Sequence, residues 1–139
     1  LNNRPIGKGK LGRGRLTVYN LGGTRKVEIV ERTVPPVPMP TFKLAVTPAQ
    51  VADGSKLFAN YCARCHGANV VSGGMVPDLR YSAETTHQSF QNIVRGGVLH
   101  EFGMASFADD LTAAQVKSIE GYVLSRAKES ALAEAAGKH

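Results

Sequence analysis

Apolar side chains recur every three or four residues in two long stretches of this chain, which predicts two amphipathic helices. In the first stretch, Thr47 and Gln50 have the spacing of a capping box, and Pro48 suits the first helical position. Because a glycine on an apolar helix face lowers helix propensity, we predict that Gly54 allows another helix to cross closely. The apolar positions of this face, which leads up to Cys62, are Val51, Gly54, Phe58 and Tyr61.

A second capping box, formed by Thr112 and Gln115, predicts the start of the other long helix. The alanine-rich sequence that runs on to Ala136 either extends this helix or frays. The predicted apolar face consists of Val116, Ile119, Tyr122 and Val123.

Between the two long helices the pattern predicts a loop and one short helix. Residues 67–81 contain Gly, Pro and Asp and have no period, which is typical of a loop. Thr85 or Thr86 is expected to cap the short helix, and Gly96-Gly97 to end it. Its inward positions are Phe90, Ile93 and Val94. The part of the chain after residue 46 is therefore expected to be all-α.

The preceding residues follow a different pattern. Residues 1–15 are rich in Gly and basic, whereas Arg15 to Leu21 and Lys26 to Val30 alternate in a way that predicts one or two strands. Four prolines between Val34 and Pro40 favour an extended, semi-rigid spacer. We therefore divide the chain into a basic arm (residues 1–33), a proline-rich linker (34–46) and a helical domain (47–139).

Charge separates the same regions. The 139 residues carry a net charge of +6, yet residues 1–43 contain nine Lys or Arg and two Glu, a net charge of +7. Such a basic arm suggests nucleic-acid binding, but it contains no recognition motif. We therefore interpret it as a solvated or partner-facing segment and expect no nucleic-acid partner. No stretch approaches the roughly 20 apolar residues that a membrane span requires.

The strongest chemical signal is the C-x-x-C-H motif of Cys62, Cys65 and His66. This spacing is typical of c-type haem attachment, in which each thiol binds one porphyrin vinyl group and the histidine ligates the iron. A redox dithiol would leave His66 unexplained, and a zinc site would need four ligands in a chain with only two cysteines. One covalent haem c is therefore predicted.

Because such haem is attached outside the bacterial cytoplasm, we expect a periplasmic protein. The chain begins with leucine, so we also expect a processed product or part of a longer chain.

Iron held by His66 needs a second axial ligand or an open site. Met104 is predicted, since Gly103 and Ala105 are small enough for the backbone to approach the porphyrin; His100 and an open site are the alternatives. Met75 is too close in sequence to His66, and His87 is expected to face solvent. Arg80 and Tyr81 are candidates to hydrogen-bond a haem propionate, with an exposed arginine as the alternative.

Residues 47–126 resemble a class I cytochrome c: a helix ending in C-x-x-C-H, a long loop, a short helix, G-M-A-S-F and a last helix with an inward tyrosine. The resemblance implies that Gly54 and Phe58 lie near Ile119 and Tyr122. It also implies that a carbonyl near Pro77 accepts the Nδ1 proton of His66.

When the arm is included, the chain resembles the C-terminal end of quinohaemoprotein alcohol dehydrogenases. Three runs carry this resemblance: G-R-L-T-V-Y-N-L-G-G, M-V-P-D-L-R-Y-S and G-M-A-S-F. The resemblance implies that a propeller domain with pyrroloquinoline quinone (PQQ) and calcium precedes Leu1. That domain would pass electrons through this haem to an external acceptor (a small cytochrome, a cupredoxin or a quinone). The 139 residues have no room for those sites, so the chain alone is expected to transfer electrons and not to oxidise alcohol. A free-standing periplasmic cytochrome c and a peroxidase-like haem enzyme are the alternatives.

Overall fold

The computed structural model of the chain describes residues 21–24 and 34–137. The chain divides into two units, residues 1–35 and 36–139. In the first unit, Leu21 and Gly22 form a turn in which Gly22 has a φ of 85°. The strands predicted from Arg15 to Leu21 and from Lys26 to Val30 lie outside the described residues, apart from Leu21.

The first helix, α1 (Pro48–Tyr61), begins as its sequence predicts. The Gln50 amide donates to the Thr47 hydroxyl over 3.2 Å, and the Thr47 amide donates to the Gln50 side chain over 2.8 Å. Gly54 and Phe58 are buried, whereas Tyr61 is exposed although it was placed on the apolar face. The Tyr61 ring instead meets the edge of Phe107, with 6.1 Å between centroids.

The last helix, α5 (Ala113–Ala135), begins at the predicted Thr112–Gln115 capping box and runs through the alanine-rich sequence. It crosses α1 at Gly54, where a Cβ would lie 1.9 Å from the Ser118 carbonyl oxygen. The Phe58 and Tyr122 rings lie 5.5 Å apart beside this crossing. The predicted close helix contact is therefore confirmed, because only a glycine fits there.

The middle of the domain contains two short helices, α3 (Glu84–Gln88) and α4 (Phe90–Val94), and not a single one. The predicted cap is wrong: Ala83 is the N-cap, and Thr85 and Thr86 lie inside α3. Phe90 and Val94 are buried as predicted. Three short 3-10 segments complete the regular structure of the described residues: Ala68–Val70, Leu79–Tyr81 and His100–Phe102.

The proline-rich linker is not a free spacer over its whole length, since residues 37–46 contact the helices of the second unit. The Val37 side chain is 4% exposed, and its amide donates to a Glu134 carboxylate oxygen over 2.6 Å. The Phe42 ring stacks on His87, with 5.3 Å between centroids, and Val46 packs against Gly121. The structure thus places the boundary between the two units at Pro35 and Pro36, in the first part of the linker.

A single core joins the helices of the second unit. Its buried members are Phe58, Val70, Phe90, Val94, Leu111, Val116, Ile119, Tyr122 and Val123. Within residues 21–24 and 34–137, regular structure is helical only, which confirms the predicted all-α class, and α1 and α5 cross as the resemblance to class I cytochromes c implies. Among residues 21–24 and 34–137, no helix has the length and continuous apolar sequence of a membrane span.

Candidate haem site

The C-x-x-C-H motif begins where α1 ends. Cys62 caps α1 and donates its amide to the Phe58 carbonyl over 2.9 Å. A four-residue helix, α2 (Ala63–His66), follows, and the Cys62 carbonyl accepts from the amides of both Cys65 and His66, over 3.1 and 2.9 Å. The motif is thus a tight turn anchored on a core helix, which fixes both thiols relative to the imidazole.

The two thiols differ in their surroundings. Cys65 is exposed, whereas Cys62 is half-buried against the core, and neither forms a disulfide. Burial raises the pKa of the Cys62 thiol to about 11, and repulsion from Cys65 adds to the effect. Because a thioether carries no ionisable proton, attachment to a porphyrin suits this partly buried position.

His66 is half-buried, and its Nδ1 lies 3.1 Å from the Pro77 carbonyl oxygen. A carbonyl can only accept, so Nδ1 carries the proton and Nε2 keeps a free lone pair. This is the contact that the resemblance to class I cytochromes implied. It orients the imidazole for ligation through Nε2.

The loop that carries Pro77 is held by polar contacts that the sequence patterns did not single out. Gly67 turns the chain at a φ of 80°, and a Cβ there would lie 1.9 Å from the Val71 carbonyl oxygen. The Ser72 hydroxyl donates to the Val76 carbonyl over 2.6 Å, and the Ser72 amide donates to the Asp78 carboxylate over 3.3 Å. In the sequence, only the spacing of Ser72 and Asp78 could have indicated these loop contacts, and such a spacing is a weak predictor.

Arg80 and Tyr81 follow this loop. The Arg80 side chain is 15% exposed; its Nε and Nη2 donate to Asp78 over 3.0 and 2.7 Å, and its Nη1 donates to the Ser130 hydroxyl over 3.3 Å. The Asp78 hydrogen bond raises the pKa of Arg80, and burial raises that of Tyr81. The alternative of an exposed Arg80 is therefore wrong, while a propionate role for Arg80 and Tyr81 stays a prediction.

Met104 is half-buried and packs against the core, directly after Gly103, which has a φ of 88°. Its amide donates to the Leu99 carbonyl over 3.2 Å. The other candidate ligands on the described segments are far more open: Met75 is 97% exposed, and the His100 side chain 75%. His139 lies outside the described residues.

The prediction that His87 faces solvent is wrong. His87 is 7% exposed, and its ring is stacked between Phe42 and Phe90. Its Nδ1 lies 3.1 Å from Oε1 of Glu120, which is also buried. Phe90 is close to His87 in sequence, but Phe42 and Glu120 come from residues 37–46 and from α5, so the burial of His87 depends on distant parts of the chain.

The chemistry of these residues fits a haem. Among residues 21–24 and 34–137, no three His, Cys, Asp or Glu side chains cluster as ligands of a bare metal ion. The two thiols can attach a porphyrin, and the free Nε2 of His66 can ligate its iron. Exposed apolar side chains on the two adjoining loops suit an apolar ring: Val71, Met75, Val98 and Phe102.

Known proteins support the same interpretation. A family described as cytochrome c oxidase, cbb3-type, subunit III matches residues 49–123. Quinohemoprotein alcohol dehydrogenase ADH IIB of Pseudomonas putida is 37% identical over 131 residues, covering 90% of this chain and 18% of the relative. ADH-IIG of the same species is 40% identical over 115 residues, covering 83% of this chain and 16% of the relative.

The solved structure of quinohemoprotein alcohol dehydrogenase ADHIIG from Pseudomonas putida HK5 superimposes with a TM-score of 0.60 at 42% identity. That comparison covers 77% of this chain and 15% of the solved one. This chain thus spans less than a fifth of the length of these relatives. It belongs to the cytochrome c family, as a haem c domain that transfers electrons.

Proposed function

We propose that the chain holds one haem c through thioethers at Cys62 and Cys65, with His66 and Met104 as the axial ligands. The observation that carries this proposal is the 3.1 Å contact between His66 Nδ1 and the Pro77 carbonyl, which leaves Nε2 free one residue after the second thiol. When bound, the haem supplies a one-electron couple between ferrous and ferric iron. A thioether ligand raises the potential of such a couple and so suits electron acceptance.

The residues of the chain position this cofactor and limit its chemistry. The Cys62 carbonyl fixes the turn that presents both thiols and His66. The half-buried Met104, held against the core, would fill the second axial position and leave no place for peroxide. The site is therefore expected to pass electrons without chemistry on a bound substrate.

We further propose that the electrons come from a PQQ-containing dehydrogenase domain that precedes Leu1 and leave to an external acceptor in the periplasm. Two relatives of the chain are named as quinohemoprotein alcohol dehydrogenases and are several times longer than it. Similarity to one of them covers 90% of the chain, which must include much of the basic arm. A haem tethered to its donor works at high effective concentration, so transfer does not wait for diffusion.

Acid–acetone extraction tests the proposal at its base. Haem should stay with the polypeptide, because thioethers resist this treatment, and the double variant Cys62→Ala with Cys65→Ala should release it. The single variant Cys65→Ala should keep one thioether and show an absorption band moved to longer wavelength, because one vinyl group stays conjugated with the porphyrin. Complete release of haem from the unaltered chain would overturn the proposed function.

A further inference from the structure

Arg95 has a buried hydrogen-bond donor that no group in the described part of the chain satisfies. Its Nε is buried and has no acceptor, although the residue as a whole is half-buried. Its guanidinium forms none of the ion pairs found among residues 21–24 and 34–137. A buried donor without a partner costs about 1–3 kcal/mol. The donor therefore has no acceptor among the residues that the structure describes and is free for one that a bound group would supply.

The place of Arg95 in the fold suggests what that acceptor is. Arg95 caps the C-terminal end of α4, and its carbonyl accepts from the Ser106 hydroxyl over 2.6 Å. The neighbouring Val94 carbonyl accepts from the Phe107 amide over 2.9 Å. These two bonds join the end of α4 to the segment that begins two residues after Met104. Arg95 therefore lies beside the segment that would supply the second axial ligand.

The other arginines of the helical unit are either engaged or open to solvent. Arg80 uses Nε, Nη1 and Nη2 on Asp78 and Ser130. Arg126 donates to the Asn69 carbonyl and to Glu129, and Arg64 is exposed. Arg95 alone among these four combines a buried Nε with the lack of an acceptor.

We propose that Arg95 donates a hydrogen bond to a propionate of the haem and so orients the cofactor and sets its potential. A carboxylate matches the charge and the planar donor geometry of a guanidinium, and such pairs are charge-assisted. The competing acceptor is Gln91 Oε1, which lies one helical turn earlier and is also buried without a partner. Gln91 Nε2 donates to the Ala113 carbonyl over 3.0 Å, which holds this amide against α5.

This inference rests on the proposed haem function and is tested by the midpoint potential of Arg95→Gln measured between pH 5 and 9. Loss of the positive charge should shift the potential downward, because the charge disfavours ferric iron. The propionate should also keep its proton to higher pH without its partner. Since its ionisation favours ferric iron, the potential should fall with pH in a range closer to neutrality than in the unaltered chain.

Two further variants make the result specific. Arg95→Lys keeps the charge but loses the planar donors, so its midpoint potential should shift by less than that of Arg95→Gln. If Arg95→Gln does not fold, the shift of Arg95→Lys is measured in its place. Lys128→Gln removes one charge from an exposed position of α5 and should leave both the potential and its pH profile unchanged.

The inference would be overturned by a haem-loaded Arg95→Gln with the unaltered potential and pH profile, whatever happens to its melting temperature. Such a result would mean that Arg95 pairs with Gln91 in the unaltered chain and does not act on the haem. If the unaltered chain itself holds no haem, it is the proposed function that fails.

Discussion

At the scale of single residues, the site depends on how the chain positions a few atoms. The Pro77 carbonyl selects one tautomer of His66, and Ser72 and Asp78 hold the loop that carries this carbonyl. Ser72 and Asp78 therefore act on His66 through the loop. Metal centres are commonly tuned by such outer contacts.

Met104 gives the sharpest prediction at this scale. Met104→Ala should let the ferrous haem bind carbon monoxide and should lower the midpoint potential by on the order of 0.1 V, since axial ligands set haem potentials over about 0.8 V. The measurements are a carbon monoxide difference spectrum and a redox titration. His100→Ala, at an exposed position four residues earlier, is the matched control and should change neither. If His100→Ala opens the site instead, His100 is the ligand.

How far single residues were predictable depends on how local their signals are. The thiols and His66 were named from one short motif, because haem attachment fixes their spacing along the chain. Met104 was named from its small neighbours Gly103 and Ala105. The burial of His87 was missed because its partners, Phe42 and Glu120, are 45 and 33 residues away in sequence. Arg95 was passed over as well, because an unsatisfied donor is visible only once the packing around it is known.

At the scale of elements, the two long helices organise the domain and their sequences specify it most strongly. Both capping boxes formed at the predicted residues, since each needs only side chains three positions apart. The short helices were less well predicted: α3 starts after Ala83, which offers no side-chain cap. Its position depends on Phe90, Val94 and His87 reaching the core and not on a local start signal.

The crossing of α1 and α5 makes Gly54 the most sensitive position of the fold. Gly54→Ala should lower the free energy of unfolding by about 1–3 kcal/mol or more. The added Cβ would overlap the Ser118 carbonyl, and overpacking of this kind is costly. Denaturant unfolding followed by far-UV circular dichroism measures the change. Gly73→Ala, where a Cβ meets nothing within 4 Å, is the control and should be close to neutral. Equal stability of the two variants would contradict the close crossing.

At the scale of the whole molecule, the helical unit extends further towards the N-terminus than the sequence suggested. Prolines predict an extended backbone correctly but do not show what it packs against. Val37, set between prolines, is buried and hydrogen-bonded to Glu134, and Phe42 covers one face of His87. A tether between two domains would therefore be short, because its second half belongs to the haem unit.

Limited proteolysis tests this boundary. The compact, redox-active fragment should begin close to Pro36 and not just before Thr47, because residues 37–46 are held by contacts with α3 and α5. Glu134→Gln should increase cleavage between Val37 and Thr47, since it weakens the bond to the Val37 amide by about 1 kcal/mol. Glu129→Gln, on the same helix but paired with Arg126, should leave the cleavage pattern unchanged. Cleavage between Phe42 and Thr47 in the unaltered chain at the rate of an exposed loop would show that the segment is free.

We propose that this chain carries a haem with both axial positions filled and works by one-electron transfer. A spectroscopic redox titration of the unaltered, haem-loaded chain, with and without carbon monoxide, tests both properties together. We expect one reversible transition of a single electron, with the same midpoint and spectrum in both conditions, because His66 and Met104 leave no site for the gas. Formation of a ferrous carbon monoxide complex with an upward shift of the midpoint would instead show an open iron site, which is incompatible with ligation by both His66 and Met104.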